Sequence, residues 1–179
     1  TAFLGYTSGT TGRPKAVMKT HRQLLRGVAT HIGAMRYTEN DRIPLFAMIS
    51  TGQGAVSIWL LLTGAMLCPF PIREKGVTGL DRWIIDRELT VYVSSASIFR
   101  TMVKSIDERL VFSNIRAVRL ASEATTAADF RAFQKHFPPT SFLVHGLSSS
   151  ETSTVAWSRW KHTDVVPEGV LPIGHLSGE

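Results

Sequence analysis

Residues 6–15 read Tyr6-Thr7-Ser8-Gly9-Thr10-Thr11-Gly12-Arg13-Pro14-Lys15, and this stretch decides the fold class of the chain. Gly9, Gly12 and Pro14 let the backbone turn its N–H groups toward an anion. The neighbouring Ser and Thr hydroxyls add neutral donors, and Lys15 adds a positive charge. A hydrophobic core has little use for such a run, so the segment predicts a loop that binds polyphosphate.

This loop does not follow the Walker pattern of P-loop enzymes. That pattern requires a lysine directly after glycine and a hydroxyl residue directly after the lysine, whereas Lys15 follows Pro14 and precedes Ala16. A flexible Gly/Ser/Thr linker is the structural alternative, but the lysine and the apolar flanks favour an anion site. The pattern therefore indicates a different family of nucleotide-binding proteins.

The segment resembles the signature loop of the adenylate-forming, or AMP-binding, superfamily, which includes acyl-CoA synthetases, luciferases and nonribosomal peptide synthetase adenylation domains. The resemblance covers essentially the whole chain, with the motifs in the family's order. The other segments that carry it are Ala16-Val17-Met18, Thr20-His21-Arg22-Gln23-Leu24-Leu25, Asn40-Asp41-Arg42, Pro44-Leu45-Phe46, Leu62-Thr63-Gly64-Ala65, Leu120-Ala121-Ser122-Glu123-Ala124 and Ser150-Glu151.

The resemblance implies a reaction in which a substrate carboxylate attacks the α-phosphorus of ATP. The products are an acyl-adenylate and pyrophosphate, and the acyl group then passes to the thiol of CoA or of carrier-protein phosphopantetheine. Such an enzyme works by positioning its substrates and by neutralising charge on phosphate oxygens. The implied cofactors are ATP and Mg²⁺ with CoA or phosphopantetheine as thiol acceptor, and the implied partners are a small carboxylic acid and a carrier protein.

The same resemblance assigns roles to individual residues. The residues that would hold the β- and γ-phosphates are Thr7, Ser8, Gly9, Thr10, Thr11 and Gly12, assisted by Lys15. Glu151 matches the family's magnesium-binding glutamate, and Ser150 matches the preceding hydroxyl residue, which contacts the α-phosphate. Oxygen ligands suit a hard divalent cation. A solvated surface carboxylate is the alternative interpretation of Glu151.

The expected adenine pocket departs from the family pattern. Its residues are Ala121, Ser122, Glu123 and Leu147. The usual Gly-Gly-Glu-Ala turn is Ala-Ser-Glu-Ala here, and Leu147-Ser148 stands where the family has an aromatic residue and a glycine. A register that aligns His145-Gly146 with that pair would leave Ser149 at the glutamate position. We therefore expect a reshaped pocket with weaker stacking, and ordinary helix-entry chemistry is the alternative interpretation of Ser122 and Glu123.

The expected substrate pocket contains no acidic residue. Amino-acid-activating relatives pair a carboxylate in this region with the α-ammonium of the substrate, because a buried cation without a partner is costly. Residues 46–54 of this chain include neither Asp nor Glu. The sequence therefore predicts a carboxylic acid without a conventional α-amino group, bound near Ala47, Ser50, Thr51 and Gly52.

Composition and periodicity predict an α/β fold. The 179 residues are 44% hydrophobic and 19% charged, which is typical of a globular domain. Apolar strand-like runs at 43–48, 65–70, 91–93, 115–120 and 142–144 alternate with helical patterns, among them 21–35, 55–62 and the segment after a Thr126–Asp129 capping box. This order predicts a doubly wound, mainly parallel sheet flanked by helices, with ligands beyond the carboxyl ends of its strands.

The domain organisation follows from the resemblance. Residues 1–179 correspond to a single α/β fragment of the large N-terminal domain of an adenylate-forming enzyme. The upstream part of that domain and the small C-terminal domain would then lie outside this chain, and the fragment alone is expected to be inactive.

Several other classes are disfavoured. The net charge of +6 is scattered, without the basic stripe of a nucleic-acid-binding protein. Polar and breaking residues interrupt the uncharged stretch 43–72, which argues against a membrane span. The lone Cys68 fits a reducing, cytoplasmic compartment. Residues 145–150 lack the G-x-S-x-G elbow of a serine hydrolase. A noncatalytic module with the same fold, which binds nucleotide or a partner, remains the serious alternative.

Overall fold

A computed structural model of the chain describes residues 1–8, 14–48 and 51–176. The strands, numbered in chain order, are β1 (Phe3–Ser8), β2 (Pro14–Lys19), β3 (Arg42–Leu45), β4 (Met66–Pro69), β5 (Val91–Ser95), β6 (Ala117–Ala121), β7 (Phe142–Ser149), β8 (Ser153–Lys161) and β9 (His175–Leu176). The α-helices are α1 (His21–Met35), α2 (Gly52–Trp59), α3 (Ile72–Lys75), α4 (Leu80–Asp86), α5 (Ala96–Ser105) and α6 (Ala127–His136). A 3-10 turn, Leu60–Thr63, follows α2.

The central sheet has the order β5-β6-β7-β8-β9. Strands β5, β6 and β7 are parallel, whereas β8 and β9 run antiparallel to their neighbours. The parallel pair β3-β4 lies beside β5, where the Thr90 N–H donates to the carbonyl of Arg42 at 3.2 Å. Strands β1 and β2 form an antiparallel hairpin. The carboxyl ends of β5, β6 and β7 therefore share one edge of the sheet.

Helices cover both faces of this sheet. Successive side chains of a strand point to opposite sides, so apolar residues on both faces pack against helices. Val91, Ala117 and Val144 pack with α1 in one hydrophobic cluster. Their neighbours face a second cluster, which includes side chains from α4, α5 and α6. The largest fully buried side chains of that second cluster include Tyr92, Phe99, Phe130, Phe133 and Phe137. Each such burial contributes about 1.5–3 kcal/mol before entropic costs.

Local signals set the starts of two helices. The Thr20 side chain accepts from the Gln23 N–H at the start of α1, and Gln23 bonds back to the Thr20 N–H. Thr126 and Asp129 form the same reciprocal box at α6. The predicted capping box is thus confirmed. Each cap satisfies backbone N–H groups that have no partner within the helix, which contributes about 1 kcal/mol.

The predicted α/β class with helix-flanked parallel strands is confirmed. The periodicity also locates most elements within a few residues, although β7 extends to Ser149, beyond the strand-like run predicted at 142–144. Strands β8 and β9 were not predicted, and they add antiparallel strands to the sheet. Residues 153–161 do not alternate regularly between polar and apolar side chains, and they form a strand through pairing with β7.

Within residues 1–8, 14–48 and 51–176, every helix is too short or too polar to cross a bilayer.

Candidate functional site

Two adjoining cavities open at the carboxyl ends of β6 and β7. The smaller has a volume of about 250 Å³ and the larger about 600 Å³. Ser122, which directly follows β6, and Ser148, near the end of β7, line both cavities. Ligands of doubly wound sheets collect at this edge, so the fold places both cavities where ligand binding is expected.

The smaller cavity lies between the turn after β6 and the end of β7. Its lining consists of Ser122, Glu123, Ala124, Thr125, His145, Gly146, Leu147, Ser148, Val170, Leu171 and Ile173. His145 is buried, and its Nε2 donates to the Pro172 carbonyl at 3.1 Å. Burial lowers the pKa of His145, although this hydrogen bond opposes the shift. The imidazole is therefore a neutral wall of the cavity near pH 7.

Arg100 of α5 braces the turn that forms one wall of this cavity. Its Nη2 donates to the Ala124 carbonyl at 2.8 Å, and its Nε donates to Asp129 Oδ1 at 2.8 Å. The hydroxyl of Ser97 donates to Glu123 Oε1 at 2.6 Å. Ser122 itself has a φ of 69°, a left-handed conformation that glycine adopts at less cost. The turn thus keeps a conformation suited to glycine although serine occupies it.

The larger cavity lies on the α1 face of the sheet. Its lining is Lys19, Gly27, His31, Phe46, Ala47, Met48, Thr51, Val56, Ile72, Arg73, Ile98, Arg119, Ala121, Ser122, Ser148, Ser149, Ser150, Ser153 and Thr154. Three of these side chains, Lys19, Arg73 and Arg119, carry a positive charge, and none of the described lining residues is acidic. Thr51 caps α2 by accepting from the Gly54 N–H at 3.1 Å. The chamber therefore combines apolar walls with a positive electrostatic potential.

The β7–β8 turn joins the hairpin of β1 and β2 to this site. Nζ of Lys19 donates to Oγ of Ser153 at 2.7 Å. Burial lowers the pKa of Lys19, while the charge of the nearby Glu151 carboxylate partly opposes that shift. Glu151 is exposed in the turn. The carboxylate that is predicted to bind metal therefore lies near Lys19, at the end of β2.

The predicted site residues fall into three groups. Ala47, Thr51, Ala121 and Ser150 line the larger cavity, Glu123 and Leu147 the smaller one, and Ser122 both. Thr7 and Ser8 end β1, Lys15 lies in β2, and Gly52 begins α2. Gly9, Thr10, Thr11, Gly12 and Ser50 lie outside the described residues. Lys15 and Lys19 are four residues apart on one strand, so they share a face of the hairpin about 13 Å apart.

The donor set of the site suits Mg²⁺ held jointly by protein and phosphate. Across the described residues no group of three or more His, Cys, Asp or Glu side chains could hold a metal alone. Mg²⁺ usually takes one or two carboxylates and completes its octahedral shell with substrate phosphates and water. The exposed Glu151 carboxylate beside the Ser150 hydroxyl fits this arrangement.

Comparison with known proteins identifies the family. The family model described as "AMP-binding enzyme" matches residues 1–176. The chain belongs to the AMP-binding enzyme family. Surfactin synthase subunit 2 of Bacillus subtilis strain 168 is 30% identical over 149 residues, which are 80% of this AMP-binding chain and 4% of that protein.

Two solved structures resemble this AMP-binding chain closely. The Klebsiella oxytoca NpsA N-terminal subdomain, in complex with 3-hydroxybenzoyl-AMSN, superposes with a TM-score of 0.80 at 26% identity, covering 98% of this chain and 44% of that one. The Vibrio cholerae adenylation domain AlmE, in complex with glycyl-adenosine-5'-phosphate, gives a TM-score of 0.84 at 18% identity. The match covers 99% of this chain and 33% of that one. The AMP-binding chain thus spans less than half of each relative.

The structure adds residues to this candidate site that sequence reasoning missed. The additions that line the larger cavity include Lys19, His31, Arg119, Ser153 and Thr154. Arg119 carried a usable signal, because it is the one charged residue inside the otherwise apolar strand β6. Residues such as Thr154 carried none, since β8 was not predicted.

Proposed function

We propose that the complete enzyme containing this chain activates a carboxylic acid with ATP. A carboxylate oxygen bonds to the α-phosphorus of ATP while the bond to the β-phosphate oxygen breaks, which releases pyrophosphate and leaves an acyl-adenylate. A thiol of CoA or of carrier-protein phosphopantetheine then takes the acyl group and releases AMP. The protein is thus proposed to be an acid–thiol ligase or an adenylation domain.

One observation carries this proposal: the two cavities meet at Ser122 and Ser148. A nucleotide in the smaller cavity and an acid in the larger one would bring the α-phosphate and the carboxylate together at that junction. Holding two reactants in line converts a bimolecular reaction into an effectively unimolecular one, which is the main source of catalysis expected here.

The phosphate-binding roles rest on the sequence motifs and on the position of the hairpin. Residues 7–12 with Lys15 would hold the β- and γ-phosphates, and Ser150 would donate to the α-phosphate. Glu151 would hold Mg²⁺, which supplies charge neutralisation to the phosphate oxygens when bound. The contact between Lys19 and Ser153 supports this assignment, because it links the base of the hairpin to the turn that carries Glu151.

The larger cavity supports an acid without an α-amino group. An α-ammonium would need a carboxylate partner. The charged side chains among the described lining residues are all positive, so none of them could pair with it. The 3-hydroxybenzoyl group in the NpsA complex is an acyl group of that kind in a relative. Ala47, Ser50, Thr51 and Gly52 remain the proposed contacts of the acid, and two of them, Ala47 and Thr51, line the larger cavity.

An ATP–pyrophosphate exchange panel on the full-length protein tests the activity. We expect exchange with carboxylic acids that lack an α-amino group, and strong exchange with an ordinary L-amino acid would refute that substrate class. The alternative function, a noncatalytic nucleotide-binding or interaction module with the same fold, predicts no exchange with any acid.

A binding experiment tests the metal site separately. Fluorescent ATP is titrated with and without Mg²⁺ against wild type, Glu151→Ala and the exposed-carboxylate control Glu39→Ala. The proposal predicts that only Glu151→Ala loses the Mg²⁺ dependence, by about tenfold in affinity. Equal Mg²⁺ dependence in all three proteins would favour the noncatalytic alternative.

The domain and compartment assignments are also proposals. We propose that residues 1–179 form part of the large N-terminal domain, that the small C-terminal domain lies elsewhere in the complete enzyme, and that the enzyme works in the cytoplasm. Cys68 supports a reducing compartment, since it is buried and is the single cysteine of this sequence.

A further inference from the structure

Arg119 lies in the middle of β6 and lines the larger cavity. Only 7% of its surface is exposed. Its Nη1 donates to Nδ1 of His31 at 3.0 Å, which fixes the guanidinium against α1. The side chain of Arg119 therefore forms part of the wall of the larger cavity, and its charge is buried there and not exposed on the protein surface.

No carboxylate of the described part of the chain balances this charge. None of the ion pairs formed there includes Arg119. The cavity adds Lys19 and Arg73 and, among its described lining, no acidic residue. Burial lowers the pKa of Arg119, yet a guanidinium keeps its proton in proteins. A buried charge without a partner is costly, so a counter-charge supplied by a ligand would stabilise this site.

His31 cannot provide that counter-charge. Burial and, second, the charge of Arg119 hold the pKa of His31 well below its ordinary value, so the ring is neutral. Because arginine only donates, Nδ1 must accept, and the proton on Nε2 is directed to Oγ1 of Thr154 at 3.3 Å. His31 thus orients the guanidinium through one N–H and leaves other N–H donors without a partner among the described residues.

The position of Arg119 along β6 separates it from the reacting carboxylate. Ser122, at the junction of the two cavities, is three residues further along the chain, a distance of about 10 Å in an extended strand. An acid whose carboxylate meets the α-phosphate near Ser122 would direct its other end toward Arg119.

We propose that Arg119 binds a second carboxylate group of the acid substrate, so that the enzyme activates dicarboxylic acids. This inference rests on the proposed function and narrows its substrate class. A guanidinium matches a carboxylate in planar, two-point geometry. The orientation imposed by His31 and the positive chamber then select a diacid over a monoacid of the same length.

The test compares matched acids by ATP–pyrophosphate exchange in the full-length enzyme. The pairs are glutarate with pentanoate, adipate with hexanoate, and isophthalate with benzoate. Wild type is expected to favour the diacid of at least one pair by about tenfold or more in kcat/KM. Arg119→Met should reduce that ratio by about 30-fold, and Arg119→Lys should restore part of it. The exposed control Lys104→Met should leave the ratio unchanged.

Two results would overturn the inference while leaving the proposed function intact. One is a preference for the monoacid in every pair, and the other is an equal fall in kcat/KM for the diacid and the monoacid in Arg119→Met. If no acid supports exchange, calorimetric titration with isophthalate tests the diacid site separately from the proposed activity. Binding to wild type that is lost in Arg119→Met would then support the diacid site without the activity. Absence of isophthalate binding to wild type would overturn the site itself.

Discussion

Nζ of Lys19 donates a hydrogen bond to Oγ of Ser153 across 2.7 Å, although the two residues are 134 positions apart in the sequence. The contact ties the end of β2 to the start of β8. Lys19 is buried, so its ammonium has lost most of its water and depends on this hydroxyl. The hairpin of β1 and β2, which is predicted to carry the phosphate loop, is therefore anchored beside the turn that carries Glu151.

Ser153→Ala tests this anchor. We expect the free energy of unfolding to fall by about 1 kcal/mol, because the buried ammonium loses a hydrogen-bond acceptor. Chemical denaturation measures the change. Thr163→Ala removes an exposed hydroxyl and is the control, with an expected change near zero. Equal stability of the two variants would contradict the anchoring role.

Asp41→Asn tests a second long-range contact, between Asp41 and Arg116. Asp41 is buried, and it accepts from Arg116 Nε at 2.9 Å and Thr90 Oγ1 at 2.7 Å, while Arg116 also binds Oδ2. Removing the charge should lower the free energy of unfolding by about 2–3 kcal/mol near pH 7. Denaturation of wild type, Asp41→Asn and the exposed control Glu39→Gln measures it.

The same pair should make stability depend on pH. Burial alone would raise the pKa of Asp41, but hydrogen bonds from Arg116, Thr90 and Thr38, with the Arg116 charge, lower it overall. A depressed pKa adds stability above the unfolded value of about 3.9. The difference between wild type and Asp41→Asn should therefore shrink as pH falls below about 4. A constant difference down to acid unfolding would contradict this account.

Ser122→Gly tests the backbone of the turn that both cavities share. Ser122 has a φ of 69°, so glycine should relieve strain and raise the free energy of unfolding by about 0.5 kcal/mol. Ser113→Gly is the control, because Ser113 lies in an exposed turn outside the positive-φ residues. The control should lower stability by a similar amount. Thermal unfolding at fixed pH measures the stability of both variants. A stability change of the same sign in Ser122→Gly and Ser113→Gly would refute the strain argument.

Arg100→Met tests the brace of the smaller cavity. The variant leaves the buried Asp129 carboxylate without its ion pair and the Ala124 carbonyl without its donor, so we expect a loss of about 2 kcal/mol in stability. The affinity of the full-length enzyme for nucleotide should fall several-fold as the wall loosens. Lys104→Met, exposed on the same helix, is the matched control. Nucleotide affinity unchanged from the control would show that the brace serves folding alone.

Much of the fold could be predicted because its signals are local. The stripe of Phe130, Phe133 and Phe137 follows helical spacing and is buried as one face of α6 and its cap. The Thr126–Asp129 box lies within a single turn. By contrast, residues 153–161 do not alternate regularly between polar and apolar side chains, so β8 becomes recognisable only through its pairing with the preceding strand, β7.

The sequence by itself determined the family, the α/β class and the list of nucleotide-binding candidates, because those depend on residue types at short spacing. Only the tertiary structure decided that Ser122 and Ser148 share two cavities, and that Arg119 meets His31. The reason is physical: β6, β7 and α1 are assembled by hydrogen bonding between strands and by burial of apolar surface. Which polar side chains that assembly leaves facing one another is a property of the packing, and no short stretch of residues encodes it.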